Sequence, residues 1–283
     1  MVDKVSDDHG FAQVEKRQDL YEEKQITKIW QEIPSSKNPY IAQASLCHGY
    51  NLLELIEKKS FIDVLYLLFR GELPCNDGRE LLEKTFIAFI NPGPRHPSTR
   101  AAIDAGIGKT DPELILPIGL NLLSGEYCGA AEVEHAMRWL RKNRKHNPKQ
   151  LFESLLDEQN ENSSVVSIAP GFGTLYGGID ELVLSIADTL KCLPAAGNIM
   201  SWGDAFVKAS SPYGFSWLST GLVAAVLCDL GFQPRMGAGL FQMMSAPGIF
   251  AHSIEVANKP ITAMPFIDDE QYIIESDKED VNV

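Results

Sequence analysis

An all-α fold is what this chain predicts, and three observations carry it. Apolar residues recur at helical spacing in successive segments, alternation of apolar and polar residues is nearly absent, and one late stretch is apolar almost all round. In chain order, Leu52, Leu53, Leu55 and Ile56 are followed by Phe61, Val64, Leu65, Leu67 and Leu68, and then by Leu81, Leu82, Phe86, Phe89 and Ile90. These spacings predict three consecutive helices. Ser60 is the expected N-cap of the second, since its hydroxyl can accept from a first-turn amide. Gly71 and Pro74 end it, because glycine tolerates the left-handed closing conformation and proline cannot extend the ladder. Asp111 before Pro112 and Glu113 marks a further start, leading into Leu114–Leu123. The run from Arg138 to Asn162 is the most polar part of the interior and is expected to be a surface connection. Only Val165–Ile168 offers a short strand. Ser216–Phe232, rich in Gly, Ala and Ser, predicts a helix packed on every side.

The 283 residues suffice for one large domain or two modest ones with a substantial core. With 25 Lys plus Arg against 38 Asp plus Glu, the net charge of -13 repels phosphate backbones and anionic membranes at long range, so neither nucleic acid nor membrane is an expected partner. Part of that charge sits in residues 267–283, expected to form an acidic tail, and residues 1–24 are expected to be flexible. No secretory leader pattern opens the chain, and no apolar tract reaches the roughly 18 to 20 residues that span a bilayer, so a cytoplasmic location is expected. The five cysteines, Cys47, Cys75, Cys128, Cys192 and Cys228, are scattered with no C-x-x-C pair. They are expected to be reduced and mostly buried, with no metal site and no covalently bound cofactor.

Two nucleotide-like motifs fail on spacing. Gly106-Ile107-Gly108-Lys109-Thr110 ends like a phosphate loop, but the first glycine that loop needs would fall at Ile103. Gly171-Phe172-Gly173 begins like a dinucleotide fingerprint, but its third glycine would fall at Tyr176.

Five segments, in order, carry a stronger signal: Cys47–Pro74, Asn91–Arg100 (N-P-G-P-R-H-P-S-T-R), Gly125–Glu132 (G-E-Y-C-G-A-A-E), Gly171–Gly177 (G-F-G-T-L-Y-G) and Ser219–Phe232. Together they resemble the citrate synthase and citryl-CoA lyase family over most of the chain. The resemblance implies a large helical domain from residues 25–132 and 213–266, a smaller helical domain 133–212 inserted into it, and a cleft between them. It also implies a CoA thioester or small carboxylate as ligand, with CoA or acyl-CoA as the substrate class, and a homodimer or a hetero-oligomer with a paralogue.

Condensation of this kind needs a carboxylate to take a proton, donors for the enolate oxygen, and a cation or proton source for the attacked carbonyl. At the positions that match the family's first His, second His and Asp, this chain has Tyr127, Thr174 and Thr220. An alignment on Pro212 would instead put Tyr213 or Gly214 at the Asp position. A phenol with an unperturbed pKa of ~10 is no substitute for imidazole, and a threonine is no base. The Arg after the second His is Leu175, another reads Ala246, and the family's D-H-G is Asn91-Pro92-Gly93.

Arg95, His96 and Arg100 flank that loop and could bind an anion; alternatively Arg95 and His96 face water and Ser98 caps the following helix. Gly171 and Gly173 could present bare backbone amides to an acyl-CoA or carboxylate. His48 stands where the family often has Arg, as a turn residue or a ligand contact. His252 lies in the resembled A-H-x-x-E run, in a structural or ligand-binding role. Cys128 falls beside the cleft by alignment and reads as a small buried thiol. Two functions stay open: an acyl-CoA-dependent carbon–carbon condensing or cleaving enzyme whose catalytic groups are a rearranged set drawn from His96, Arg95, Arg100, Tyr127 and Thr220, or a catalytically inactive relative that binds a metabolite or serves as a regulatory or structural subunit paired with an active paralogue.

Overall fold

A computed structural model describes residues 24–158 and 166–273. Of the sequence expectations, residues 1–23 of the flexible start, 274–283 of the acidic tail, 159–162 of the polar run and Val165 of the short strand lie outside the described residues. The chain divides into two units, Met1–Lys58 and Lys59–Val283.

The first unit is a small antiparallel sheet, β1 (Trp30–Pro34), β2 (Ala42–Cys47) and β3 (Tyr50–Asn51), followed by α1 (Leu52–Lys58). The sequence reading missed these strands. They are mostly exposed and only Cys47 is fully covered, so the alternation that marks a half-buried strand never develops. His48 (φ 46°) and Gly49 (φ 87°) turn β2 into β3, the paired left-handed residues that a two-residue hairpin requires.

The second unit is helical. In α2 (Phe61–Arg70), Ser60 and Asp63 form a reciprocal capping box, and Gly71 closes the helix at φ 75°, as the sequence predicts. Next come α3 (Asn76–Ala88), α4 (Pro97–Ile107) and α5 (Pro112–Leu123), the last starting after Asp111 as expected. The polar run is not a mere connection: it holds the end of α6 (Ala130–Asn143) and all of α7 (Pro148–Asp157). Their inner faces bury Met137, Leu140 and Phe152, and most of the run's charged side chains, Arg141 apart, lie outward. A second small sheet in the order β4 (Ser167–Ala169), β5 (Phe172–Gly173), β6 (Ser216–Trp217) brackets α8 (Glu181–Leu190) and α9 (Asn198–Ser210) in sequence.

Helix α10 (Ser219–Asp229) is the hub. Thr220 to Leu227 are all buried, with α6, α9, α3, α8 and α11 (Pro234–Val256) around it, so the expectation of a helix covered on all sides holds. Helix α11 in turn packs on α4, α5 and α6. The Gly106–Thr110 motif merely ends α4, and Lys109 donates to the carbonyls of Ala257 and Lys259. The cysteines depart from expectation. Only Cys47 is buried, Cys75 and Cys192 are exposed, and Cys128 and Cys228 lie between. Cys75 is exposed because it starts α3, its sulfur accepting from the Gly78 amide.

The N-terminus of α9 has no cap of its own. Asp229, at the end of α10, supplies one, accepting from the amides of Gly197, Ile199 and Met200 at 2.9 Å each. A carboxylate there meets both the unpaired amides and the positive end of the helix dipole. Asp229→Ala is expected to lower stability by about 1–3 kcal/mol, read as a shift in the urea midpoint with unchanged slope.

Candidate ligand-binding cleft

The second unit contains a cavity of about 500 Å³. One wall is the Asn91–His96 loop between α3 and α4, with Ala88 and Phe89 before it. Another is Leu175 and Tyr176 after β5, with Asp180, Leu182, Val183 and Ile186 at the start of α8. Cys128, Leu218, Ser219, Phe241 and Ser245 complete it.

Local chemistry shapes the loop. Gly93 turns it at φ 86°, and the Asn91 side-chain oxygen accepts from the Gly93 amide at 2.8 Å. The Asn91 amide group in turn contacts His252 Nε2 at 3.1 Å, while His252 Nδ1 faces Glu255 at 3.8 Å. His252 therefore steadies the loop and does not line the cavity.

Pro97 opens α4, and the next amide, that of Ser98, is satisfied by His96. His96 Nδ1 lies 3.3 Å from the Ser98 amide and 2.7 Å from its hydroxyl, which makes His96 itself the cap. The reading in which Ser98 caps the helix and His96 faces water is thus corrected. Ser98 is buried as the second helical residue, and His96 is half-buried. With Nδ1 accepting, Nε2 carries the proton and points at the Cys128 carbonyl at a loose 3.4 Å. Burial, opposed by that carbonyl, holds the imidazole pKa below its ordinary value, so the ring is neutral at pH 7. Arg95 lines the same cavity and is exposed; Arg100 lies on α4 and does not line it.

The family-equivalent positions lie elsewhere. Tyr127 is 59% exposed, and burial of its hydroxyl surroundings together with nearby Cys128, Tyr176 and Glu132 raises its pKa. It stays a phenol. Thr174 gives its amide to the Val166 carbonyl. Thr220 is fully buried, and its hydroxyl donates to Glu132 Oε2 at 2.9 Å. The other carboxylate oxygen accepts from the Gly171 amide at 3.1 Å, and the Cys128 backbone adds to the set.

Gly171 and Gly173 are also buried and do not line the cavity. The Gly171 amide is taken by Glu132, and β5 lies beneath the Phe172–Trp217 stack at 4.5 Å. His48 belongs to the hairpin turn of the first unit. Of the residues singled out from sequence as catalytic or ligand-binding, then, Arg95 and His96 share a cavity.

Sequence reasoning passed over Glu132, Asp180 and Tyr176. Asp180 caps α8 through the Val183 amide at 3.0 Å and stands in the cavity wall; an Asp before Glu181-Leu182-Val183 is a readable cap signal. Glu132 was visible as the acid in the first turn of α6. Its burial was not. Cys128 sits at φ 52°, an uncommon conformation for a side-chain-bearing residue, and its thiol is pushed up to about 11 by burial and by Glu132 and Asp180. It remains a thiol near neutrality and no thiolate nucleophile.

No family model matches the sequence, and no curated protein does so at a significant level. Solved structures do. The citryl-CoA lyase of Hydrogenobacter thermophilus superimposes with a TM-score of 0.72 at 22% identity, over 92% of this chain and 97% of that one. The ATP citrate lyase of Methanothrix soehngenii, in complex with citrate and coenzyme A, gives 0.67 at 16% identity, over 90% of this chain and 44% of that one. Citrate synthase from the archaeon Thermoplasma acidophilum, in ternary complex with carboxymethyl coenzyme A and oxaloacetate, gives 0.58 at 17% identity, over 79% and 59%. With helices dominating and only two small sheets among the described residues, the chain has the fold of citryl-CoA lyase and citrate synthase.

Proposed function

We propose that this protein binds a CoA thioester or small carboxylate in the Arg95–His96 cleft and does not carry out the standard citrate synthase condensation. The observation that carries the reading is the separation of groups. A cation and an imidazole N–H line a cavity of ligand size, while Tyr127, Thr174 and Thr220 lie outside it. The buried carboxylate beside Thr220 has both oxygens engaged by its neighbours, and Asp180 is occupied as a helix cap. Glu132 is therefore no open proton acceptor, and Asp180 gives Oδ1 to its cap. The ligands of the similar structures, citrate, coenzyme A and oxaloacetate, support the ligand class by analogy of fold.

The same reading takes residues 25–132 and 213–266 as the large domain and 133–212 as the insert. It is supported by the cavity's walls, which come from Ala88–His96 and Phe241–Ser245 on one side and Leu175–Ile186 on the other. It also takes the working form as cytoplasmic and homodimeric. Exposed Leu114 and Leu122 on α5, and Phe250 and Ile254 on the neighbouring α11, supply an apolar face for a second copy. Among the described residues no helix is long and apolar enough to cross a membrane.

A thiol-release assay tests the chemistry. With acetyl-CoA and oxaloacetate no release above background is expected; steady turnover would show that an acid and base have been relocated into the cleft. A catalytically silent subunit paired with an active paralogue is the second reading, favoured by the engagement of Glu132. Because burial holds the His96 pKa below its ordinary value and the ring gains charge only as pH falls through that lowered value, binding of an anionic ligand is expected to tighten on acidification below the usual histidine range. His96→Ala should flatten that slope, measured by titration at several pH values.

A further inference from the structure

We infer that the cleft selects an aliphatic acyl group of several carbons with one polar head, in preference to a di- or tricarboxylate; this rests on the ligand-cleft reading above. The permanent charges in the cavity wall are one of each sign, Arg95 and Asp180. His96 is neutral, with its ring nitrogens facing Ser98 and the Cys128 carbonyl. A single guanidinium can pair one carboxylate. A second or third brought into the same cavity would lose water without gaining a cation, and would meet Asp180 as a like charge.

The rest of the wall favours hydrocarbon. Phe89, Leu175, Val183, Ile186, Leu218 and Phe241 face the space. Ala88 and Ile186 also line an adjoining groove of about 370 Å³ between α3 and α8, where Ile87 and Leu190 add apolar surface beside Lys84, Ser185 and Thr189. Val183 and Ile186 lie within one turn of α8, and Asp180 caps that same helix, so one element sets both the apolar floor and the opposing charge. A free acid and its CoA thioester share this acyl chemistry.

Calorimetric titration of the full chain with acetate, hexanoate, citrate, acetyl-CoA and hexanoyl-CoA decides the matter. Each buried methylene is worth roughly fourfold in affinity, so at least a tenfold gain is expected from the two-carbon to the six-carbon member of a series. A gain for hexanoate identifies the free acid as ligand, and a gain confined to hexanoyl-CoA identifies the thioester. Leu182, which is 70% exposed on the rim, can be changed without disturbing the core. Leu182→Asp should reduce the ratio of hexanoyl-CoA to acetyl-CoA affinity, whatever its effect on acetyl-CoA itself. Citrate binding more tightly than hexanoate, or acetyl-CoA binding with no chain-length gain, would overturn the inference and leave the cleft reading standing. Binding of none of the five would overturn both.

Discussion

Glu132→Ala is expected to lower the unfolding free energy by about 3–5 kcal/mol, because it strands the Gly171 amide and the Thr220 hydroxyl in a buried site. The carboxylate joins the start of α6, the turn before β5 and the first turn of α10, which are distant in sequence. Glu132→Gln keeps the shape but turns an amino group toward a donor, so an intermediate loss of about 1–3 kcal/mol is expected.

The pH dependence has a definite sign. Burial raises the Glu132 pKa above its ordinary value, and the hydrogen bonds from Thr220, Gly171 and Cys128 only partly offset it. The native state therefore holds its proton where the unfolded chain has released it. The stability this group contributes is complete below the unfolded carboxylate pKa and falls as pH rises through the higher native value. The difference in unfolding free energy between wild type and Glu132→Gln should thus be larger at pH 4 than at pH 7. A difference that shrinks on acidification would contradict the burial argument.

Gly171→Ala is the second large effect. Gly171 sits at φ 82°, and an added Cβ would stand 2.4 Å from the Gly221 Cα and 3.1 Å from the Ala136 Cβ. The reciprocal change is as tight, since a Cβ on Gly221 would lie 2.0 Å from the Gly171 carbonyl oxygen. That carbonyl also accepts from the Leu218 amide, so retreat breaks the link between β5 and the entry to α10. Left-handed strain and overpacking together predict a loss of about 3–5 kcal/mol for Gly171→Ala, measured by urea unfolding. Gly177→Ala offers a control. It shares the positive φ, at 78°, but a Cβ there meets nothing within 4 Å, so strain alone predicts about 1 kcal/mol.

These two positions show what was legible in the sequence. The helices around Ser60, Gly71 and Asp111 were readable because caps and apolar periodicity are local signals. The all-round apolar run at Ser216–Phe232 was readable because only a central helix tolerates it. The motif order carried the fold. The roles of Glu132, Gly171 and Thr220 were not readable, because their partnership spans 88 residues and depends on packing distances. The glycines of G-F-G looked like a ligand loop, but a Cβ on Gly171 would meet the backbone of α10 at Gly221 and one on Gly173 would meet the backbone of Val166 and Ser167. His96 was found as a cleft residue but its capping role was not, since Ser98 is the commoner cap by residue type. The first-unit strands escaped because an exposed hairpin has no buried face to imprint a pattern.

The central claim is that the Arg95–His96 loop holds the polar head of the ligand. Calorimetric titration of acetyl-CoA into the wild type and into the Arg95→Ala, His96→Ala double variant tests it most directly. Saturable binding to the wild type, weakened at least tenfold in a double variant that still unfolds cooperatively, is the predicted result. Equal affinity in the two proteins would contradict the account and place the ligand elsewhere.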